Sequence, residues 1–512
     1  MNKENKEKVI SNICPIEDCK RPTHKESKYC IFHANAEEKT EEEFKRALKE
    51  YINEMKEKKK NINFKRFIFI GYYIKFERDY NITIFKQDAF VEPYFKKASF
   101  DEATFEEAAY FKGANFKGYT SFDKAIFKNF AYFDEATFED ATSFNWVNFK
   151  YAIFDRATFE MGLVEFTGAN FKGYTSFKGA NFKGYNTSFK VATFEEDAFF
   201  SIKGAIMGNM DFSGVKLFPG KKLYLATKLD KQKDNASKWL AISFERAYFE
   251  NVYLELDLDT DVLIDFNQTI LMNTKMKKNQ IKNHVLQEEK KEFFQAKEIY
   301  LLLKNNFHSI GRYDDESWAF KKEKDMDRKS HWFFSVKKEI EKDNEGKRLL
   351  ALFKSGKNNS KIKEKNYSFF KWIFSNNFKN WFYSGVSSII YGYGEKPWNV
   401  IFSAGILIFI FALLFSLIGI GNPEIIELKG TAIHQNSGNI VDLASKGFLK
   451  NNPIRNFPDS LYFSLITFTT LGYGDFRPLE GWGRILAGSE AFIGAFMMAL
   501  FVYTFARRTG GR

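Results

Sequence analysis

Residues 98–116 read ASFDEATFEEAAYFKGANF, and within them Phe returns at 100, 105, 111 and 116. The ladder is entered at Phe85, Phe90 and Phe95, and it runs on through Phe122, Phe127, Phe133, Phe138, Phe144, Phe149, Phe154 and Phe159. It then continues less regularly through Phe166, Phe171, Phe177, Phe182, Phe189, Phe194 and Phe200 to Phe212. The period is five, often stretched to six. Ala98, Ala103, Ala136 and Ala157 each stand two residues before a Phe. In extended backbone, residues two apart share a face and the one between them points the other way. A helix would scatter a period of five around its surface, and a flat sheet has no use for it. A short strand and a corner in every five residues predict a chain that winds on itself. Phe then stacks inside, with Lys, Glu, Asp and Thr outside.

These units resemble the pentapeptide-repeat family, which implies a right-handed quadrilateral β-helix. Residues 85–217 carry the clear part, and SFERAYFENVYL at 243–254 adds a last coil, so the solenoid is expected over 85–270 with an insertion near 218–240. At four units per coil it should hold about six coils over about 30 Å. Where a sixth residue enters, as in FKGYTSF (116–122), the corner is expected to bulge while the interior columns persist. Some relatives in this family resemble DNA in shape and negative charge. Here residues 85–217 hold 15 basic and 18 acidic residues, too even a balance for a strong field of either sign. A rigid scaffold or assembly surface is the expected role, with its tip and edges open to an unknown cytosolic ligand or protein.

The chain changes character along its 512 residues, so its net charge of +12 and its 60 Phe describe no single domain. Its start, MNKENKEKVI, has neither an apolar core nor a cleavage site of a secretory signal, which places the N-terminal half in the cytosol with reduced thiols. All three cysteines, Cys14, Cys19 and Cys30, precede His33 in a C-x4-C-x10-C-x2-H pattern, with His24 as a spare candidate. Three thiolates and an imidazole suit tetrahedral Zn²⁺, and a segment as short as 1–40 would draw its folding energy from the metal. Four protein ligands leave no open position, so the zinc would be structural. The alternative is free thiols on a frayed terminus. Residues 41–84 are expected to be a helical and strand lead-in.

Residues 271–365 form a Lys-rich linker. Ile281, Val285, Phe293, Ile299 and Leu302 predict a helix over 278–305, with a turn at Gly311 and a second helix capped by Asp314 or Asp315. Acids interspersed in its basic runs favour a solvated face over nucleic acid, and an inner-leaflet contact also fits. Residues 366–398 are aromatic but interrupted by SNNFKN before reaching a spanning length. They predict an interfacial amphipathic segment, with Trp372, Trp381 and Tyr383 at headgroup depth and Lys371 and Lys379 toward water.

Residues 399–512 differ from all that precedes them. Residues 400–420 carry no charge, and 485–506 carry only Glu490, so both are long enough to span a bilayer. A Lys-rich arm before the first and Arg507, Arg508 and Arg512 after the second put both termini in the cytoplasm of a multi-pass cell-membrane protein. Between them, 458–469 begins with Pro458 and Asp459, suited to a short pore helix, and FTTLGYGDF (468–476) follows. Gly472 and Gly474 permit positive φ at alternate residues, so the carbonyls of Thr470, Leu471, Gly472 and Tyr473, with the Thr470 hydroxyl, can face one axis as a stack of oxygens that replaces the hydration shell of K⁺. One chain supplies a quarter of each ring, which requires a homotetramer.

TTLGYGD (469–475) resembles the potassium-channel selectivity filter, and two spans around it resemble the two-helix potassium channel. The resemblance implies ion contacts from Thr470 through Gly474. It implies filter support from Tyr462 and Phe463 as the bracing aromatic pair and from Asp475 behind the outer mouth. Leu471 replaces the commoner Val. Gly494 stands where inner helices of this family often bend, with close helix packing as the other reading. Glu490 is expected to be satisfied by hydrogen bonds behind the filter, a cavity-facing ring of carboxylates being the alternative. Leu500, Phe501, Val502 and Phe505 are candidates for a hydrophobic gate. Met498 stands where inward rectifiers carry a polyamine-binding acid, so strong rectification is not expected. Since the sequence stops soon after Ala506, control of opening is expected from the N-terminal side. The expected function is a potassium-selective channel, regulated or assembled through its solenoid. The alternative is a membrane-tethered interaction scaffold with a vestigial pore. No nucleophile and base pair, phosphate-cradling loop or open metal site suggests an enzyme.

Overall fold

The computed structural model describes residues 13–16, 19–58, 62–70, 74–75, 97–184, 186–204, 209–229, 240–339, 372–421, 457–478 and 481–510. Phe85, Phe90 and Phe95, Lys371, residues 230–239 of the insertion and residues 422–456 lie outside them. Two compact units, 1–316 and 317–512, are described separately.

In the first unit, every second corner of the coil is a turn whose third residue is left-handed. Ala103 N–H donates to the Phe100 carbonyl at 3.0 Å around Glu102 at φ 58°, and Ala125 N–H donates to Phe122 at 3.0 Å around Lys124 at φ 59°. These have the positive φ of type II turns, which reverse the chain without consuming its inward positions. Successive coils are parallel and in register, as in Phe138 between Phe116 and Phe159. Four Phe columns result, with ring centroids 4.6 Å apart at Phe100 and Phe122, 4.5 Å at Phe105 and Phe127, 4.7 Å at Phe111 and Phe133, and 4.7 Å at Phe116 and Phe138. The coil pitch and the stacking distance of aromatic rings coincide. Neighbouring columns meet edge to face, as Phe111 and Phe122 do at 5.5 Å and 82°.

The six-residue units keep the columns. In FKGYTSF the inward Thr120 is buried, pairs with Thr142 of the next coil, and donates its hydroxyl to the Gly118 carbonyl at 3.0 Å. Outside, Ser121 donates to Asp101, Ser143 to Asp123 and Ser176 to Asp155 of the preceding coil. The carboxylates of Asp123 and Asp155 also accept the Asn145 and Lys178 N–H groups, each at 2.9 Å, and so bind coil to coil along two different edges.

The stack is deeper than six coils. One face holds nine strands, from Ile62–Asn63 to Val262–Asp265, or about 38 Å at the usual strand spacing. Strands begin at Ile62–Asn63, within the helical and strand lead-in, and continue through the expected insertion as Lys222–Leu229 before Leu240–Ser243. Both open ends are covered. Helix α1 (Glu41–Glu57) lays Phe44, Leu48, Tyr51 and Ile52 over the first coil, where Phe44 meets Phe69 edge-on and Tyr51 lies tilted against Phe67.

At the other end the expected helix over 278–305 is replaced by three pieces. Lys278–Gln280 is a single 3-10 turn, Val285 bridges to Ile264 as a further rung, and a one-turn helix α2 (Leu286–Glu289) precedes α3 (Phe293–Ser309). The exposed strand edge outcompetes the helix because its carbonyls and amides need partners. Buried Asn306 of α3 completes the closure, accepting from Thr274 N–H and donating to its carbonyl, both at 2.9 Å. Gly311 makes the turn at φ 72°, and α4 (Tyr313–Ser330) follows. Asp315 does not cap that helix; its carboxylate instead accepts Lys278 N–H at 3.2 Å and Arg312 Nε at 2.6 Å.

In the second unit, α5 (Asn376–Tyr391) leads through a 3-10 turn, Gly392–Gly394, into α6 (Pro397–Ile418). The short α7 (Phe457–Phe468) packs between α6 and α8 (Trp482–Gly510). Of the described helices, α6 and α8 are long and apolar enough to cross a membrane. Trp372 is buried within the unit: it donates its indole N–H to the His331 carbonyl at 2.8 Å and packs with Trp332 and Trp381. An aromatic partner just after α4 wins it over. Tyr383 and Lys379 remain exposed.

Phe133→Ala removes one ring from the middle of a stack and should lower stability by about 3–5 kcal/mol. Val191, β-branched, exposed and left-handed at φ 49°, is strained, so Val191→Asn should raise stability by about 1 kcal/mol. Thermal melts of the whole chain followed by circular dichroism measure both.

Candidate functional site

Helix α7 ends at Phe468, and its last carbonyls hold the chain that leaves it. Ile466 accepts Leu471 N–H at 2.9 Å and Gly472 N–H at 3.3 Å, and Thr467 accepts Thr470 N–H at 3.0 Å. Thr470, Gly472 and Gly474 are left-handed at φ 56°, 50° and 85°, whereas the intervening Leu471 and Tyr473 are not. Left-handed conformation at every second residue is the geometry that turns successive carbonyls to one side. A side chain added at Gly472 or Gly474 would meet nothing within 4 Å, so these glycines answer to backbone angle and not to crowding. Leu471 and Tyr473 are 59% and 69% exposed in the single chain.

The supporting residues divide. Tyr462 packs against Phe476, with ring centroids 6.0 Å apart, and so lies against the far end of the loop. Phe463 turns the other way and meets Phe415 of α6 edge-on at 4.9 Å. Glu490 is fully buried against Ser464, whose hydroxyl also donates to the Ile408 carbonyl at 2.8 Å. This links α8, α7 and α6 behind the loop. Ser464 had no sequence signal beyond its place in the short helix, because what marks it is a carboxylate 26 residues away. Gly494 lies where the Phe468 carbonyl would stand 1.9 Å from a Cβ, which is the close-packing reading of that glycine. Phe505 is exposed near the end of α8, with Phe501 6.0 Å away.

The cysteine cluster is brought together as its spacing suggests. One ligand atom each from Cys14, Cys19, Cys30 and His33 lies within 4.8 Å of all the others. Cys14 Sγ and Cys30 Sγ stand 3.4 Å and 3.3 Å from His33 Nδ1, and Cys19 Sγ is 3.6 Å from Cys30 Sγ. His33 Nε2 faces the Lys65 carbonyl at 3.3 Å, which fixes the ring and leaves Nδ1 for the cluster. Burial holds the His33 ring neutral by lowering its pKa, and burial pushes the Cys30 thiol up to about 12. His24 is outside the group and faces Glu43.

With this geometry in view, residues 427–510 match the ion channel family, and residues 84–129 and 122–163 match the pentapeptide repeats. The chain joins a pentapeptide-repeat solenoid to an ion-channel domain. The channel match begins beyond α6 and takes in α7, the loop and α8. Among named proteins, the chain is similar to the potassium voltage-gated channel protein shk-1 of Caenorhabditis elegans, 42% identical over 50 residues, 10% of this chain and 9% of that one. It is also similar to a protein named as a potassium channel protein in Rhodopseudomonas palustris, 32% identical over 56 residues, 11% of this chain and 14% of the relative. The chain thus spans only a small part of the relatives it matches. No solved structure matches it.

Within the channel domain, Gly494→Ala should drive α8 from α7 and lower the melting temperature of the detergent-solubilised protein. Ser464→Ala strips the buried Glu490 of its partner and should cost about 1–3 kcal/mol. Both are read from thermal unfolding.

Proposed function

We propose that the chain is a potassium-selective channel, assembled as a homotetramer in a lipid bilayer. The observation that carries this reading is the alternation of left-handed Thr470, Gly472 and Gly474 on a loop held by a short helix between two apolar helices. In the tetramer, the carbonyls of Thr470, Leu471, Gly472, Tyr473 and Gly474 form rings around the axis and exchange with the water shell of K⁺. Exposed Leu471 and Tyr473 are then covered by neighbouring copies, and Asp475 with Tyr462 supports the outer end. Glu490 braces the filter from behind, and Phe505 narrows the cytoplasmic end of the pore. The basic ends of the chain keep both termini in the cytoplasm. The solenoid regulates gating or assembly through a cytosolic ligand or protein. The potassium channel names of the similar proteins support the choice of ion.

The cysteine cluster fits structural zinc. Zn–S bonds of about 2.3 Å and a Zn–N bond of about 2.0 Å in a tetrahedron separate the donor atoms by roughly 3.5–3.8 Å. Three of the donor pairs lie at 3.3, 3.4 and 3.6 Å. A divalent cation would offset the cost of ionising Cys30 in its buried setting, and would tie the segment that covers the first coil.

Purified protein in liposomes should pass K⁺ and exclude Na⁺ by at least about a hundredfold, and Gly472→Ala should abolish the K⁺ flux without breaking the tetramer. Equal Na⁺ and K⁺ fluxes, or a monomer, would refute the reading; an assembled tetramer without flux would favour the scaffold. Elemental analysis should return one zinc per chain, lost in Cys30→Ser together with a lower melting temperature. Metal-free wild-type protein with an unchanged melt would exclude the zinc.

A further inference from the structure

The cytoplasmic end of α8 is held by a small clasp around a buried carboxylate. Glu395, in the bend between α5 and α6, is 8% exposed. Its Oε1 faces Arg507 Nη2 at 3.3 Å, and its Oε2 accepts the Ser317 hydroxyl of α4 at 2.7 Å. Its backbone carbonyl accepts Arg508 Nη1 at 3.1 Å. The Arg507 guanidinium also lies over the Phe320 ring of α4, 4.6 Å from its centre. One carboxylate therefore joins three elements: α4, the bend before α6 and the last turn of α8.

The bend is shaped for this contact at a conformational cost. Gly392, Tyr393 and Gly394 are left-handed in succession, at φ 55°, 60° and 90°. Such a run persists only when its surroundings hold it. The Tyr393 hydroxyl donates to Asp325 of α4 at 3.3 Å, and the Tyr393 carbonyl accepts Arg507 Nη1 at 3.5 Å. At Gly394 a Cβ would stand 3.0 Å from that same Arg507 nitrogen. Strain, burial and charge pairing converge on the last turn of the helix that also carries Phe505.

We infer that the Glu395 and Arg507 clasp is the lock that keeps the pore shut, releasing the end of α8 when α4 moves. This rests on the channel reading above. Helix α8 is unbroken from Trp482 to Gly510, so Phe505 stays at the narrow end while Arg507 is held. Moving that end outward separates Arg507 from Glu395, and the separation leaves a buried carboxylate uncompensated. Because α4 supplies Ser317 and Phe320, a displacement of α4 weakens the clasp without touching the pore.

The test is single-channel recording of the full-length protein in planar bilayers, with hydrogen exchange of residues 500–510 measured on the same protein in nanodiscs. Glu395→Gln and Arg507→Gln should each raise the ratio of open to closed time by about tenfold or more, since every subunit loses a charge-assisted hydrogen bond. The exchanged pair, Glu395→Arg with Arg507→Glu, should return toward wild type, and Ser317→Ala should shift the ratio the same way by less. Exchange over 500–510 should quicken in Glu395→Gln. An unchanged or lowered open ratio in both single variants overturns the lock, even with faster exchange. If the wild-type protein conducts no K⁺, the channel reading has failed; exchange then judges the clasp, which faster exchange upholds and unchanged exchange refutes.

Discussion

Left-handed backbone at fixed intervals is the constraint on which this molecule depends, and it is used at two scales. In the solenoid it recurs at every second corner, at Glu102, Gly113, Lys124 and Glu135, and lets the chain turn with each Phe still directed inward. In the loop after α7 it recurs at every second residue, at Thr470, Gly472 and Gly474. The first period builds columns of rings; the second, in the proposed filter, would build a row of oxygens. Non-glycine residues bear the conformation at many solenoid corners because coil-to-coil hydrogen bonds hold each turn. The loop has fewer such restraints, which is why glycine is needed at 472 and 474.

A stack of parallel coils solves its interior and leaves its ends unsolved. Every coil in the middle has partners above and below, while the first and last present bare rings and unpaired amides. At the first coil, α1 and the cysteine segment supply the cover, with the buried Lys39 ammonium donating to the Ile31 and Ile68 carbonyls at 2.9 and 2.7 Å. At the last coil, α3 supplies it through Asn306 and an apolar face of Ile299, Leu303 and Phe307. Metal binding at the first end would be one way for a segment with little core of its own to stay in place.

Much of this was legible in residue order. The Phe period carried the solenoid, including the persistence of its columns through six-residue units, because an inward Thr can return its hydroxyl to its own turn. The cysteine spacing carried the cluster, and two long apolar runs, one without charge and one with Glu490 alone, carried the two long helices. The ends of elements were harder. Residues 278–290 have helical periodicity yet join the solenoid edge, since local propensity of a few tenths of a kcal/mol per residue yields to unsatisfied strand amides. Trp372 has the composition of an interfacial residue, but Trp332 lies beside it in space and 40 positions away in the chain.

The sequence by itself determined whatever repeats or is contiguous: the winding of the solenoid, the two apolar helices, the glycines of the loop and the order of its domains. These follow from periodicity, length and backbone freedom, which are properties of neighbours in the chain. Tertiary structure alone decided how the solenoid ends, that Phe463 faces α6, that Gly494 is a packing position beside the Phe468 carbonyl, and that Glu395 meets Arg507 across 112 positions. Each of those rests on which two distant groups are buried together, and the free energy of burial depends on the pair and not on either residue's place in the sequence.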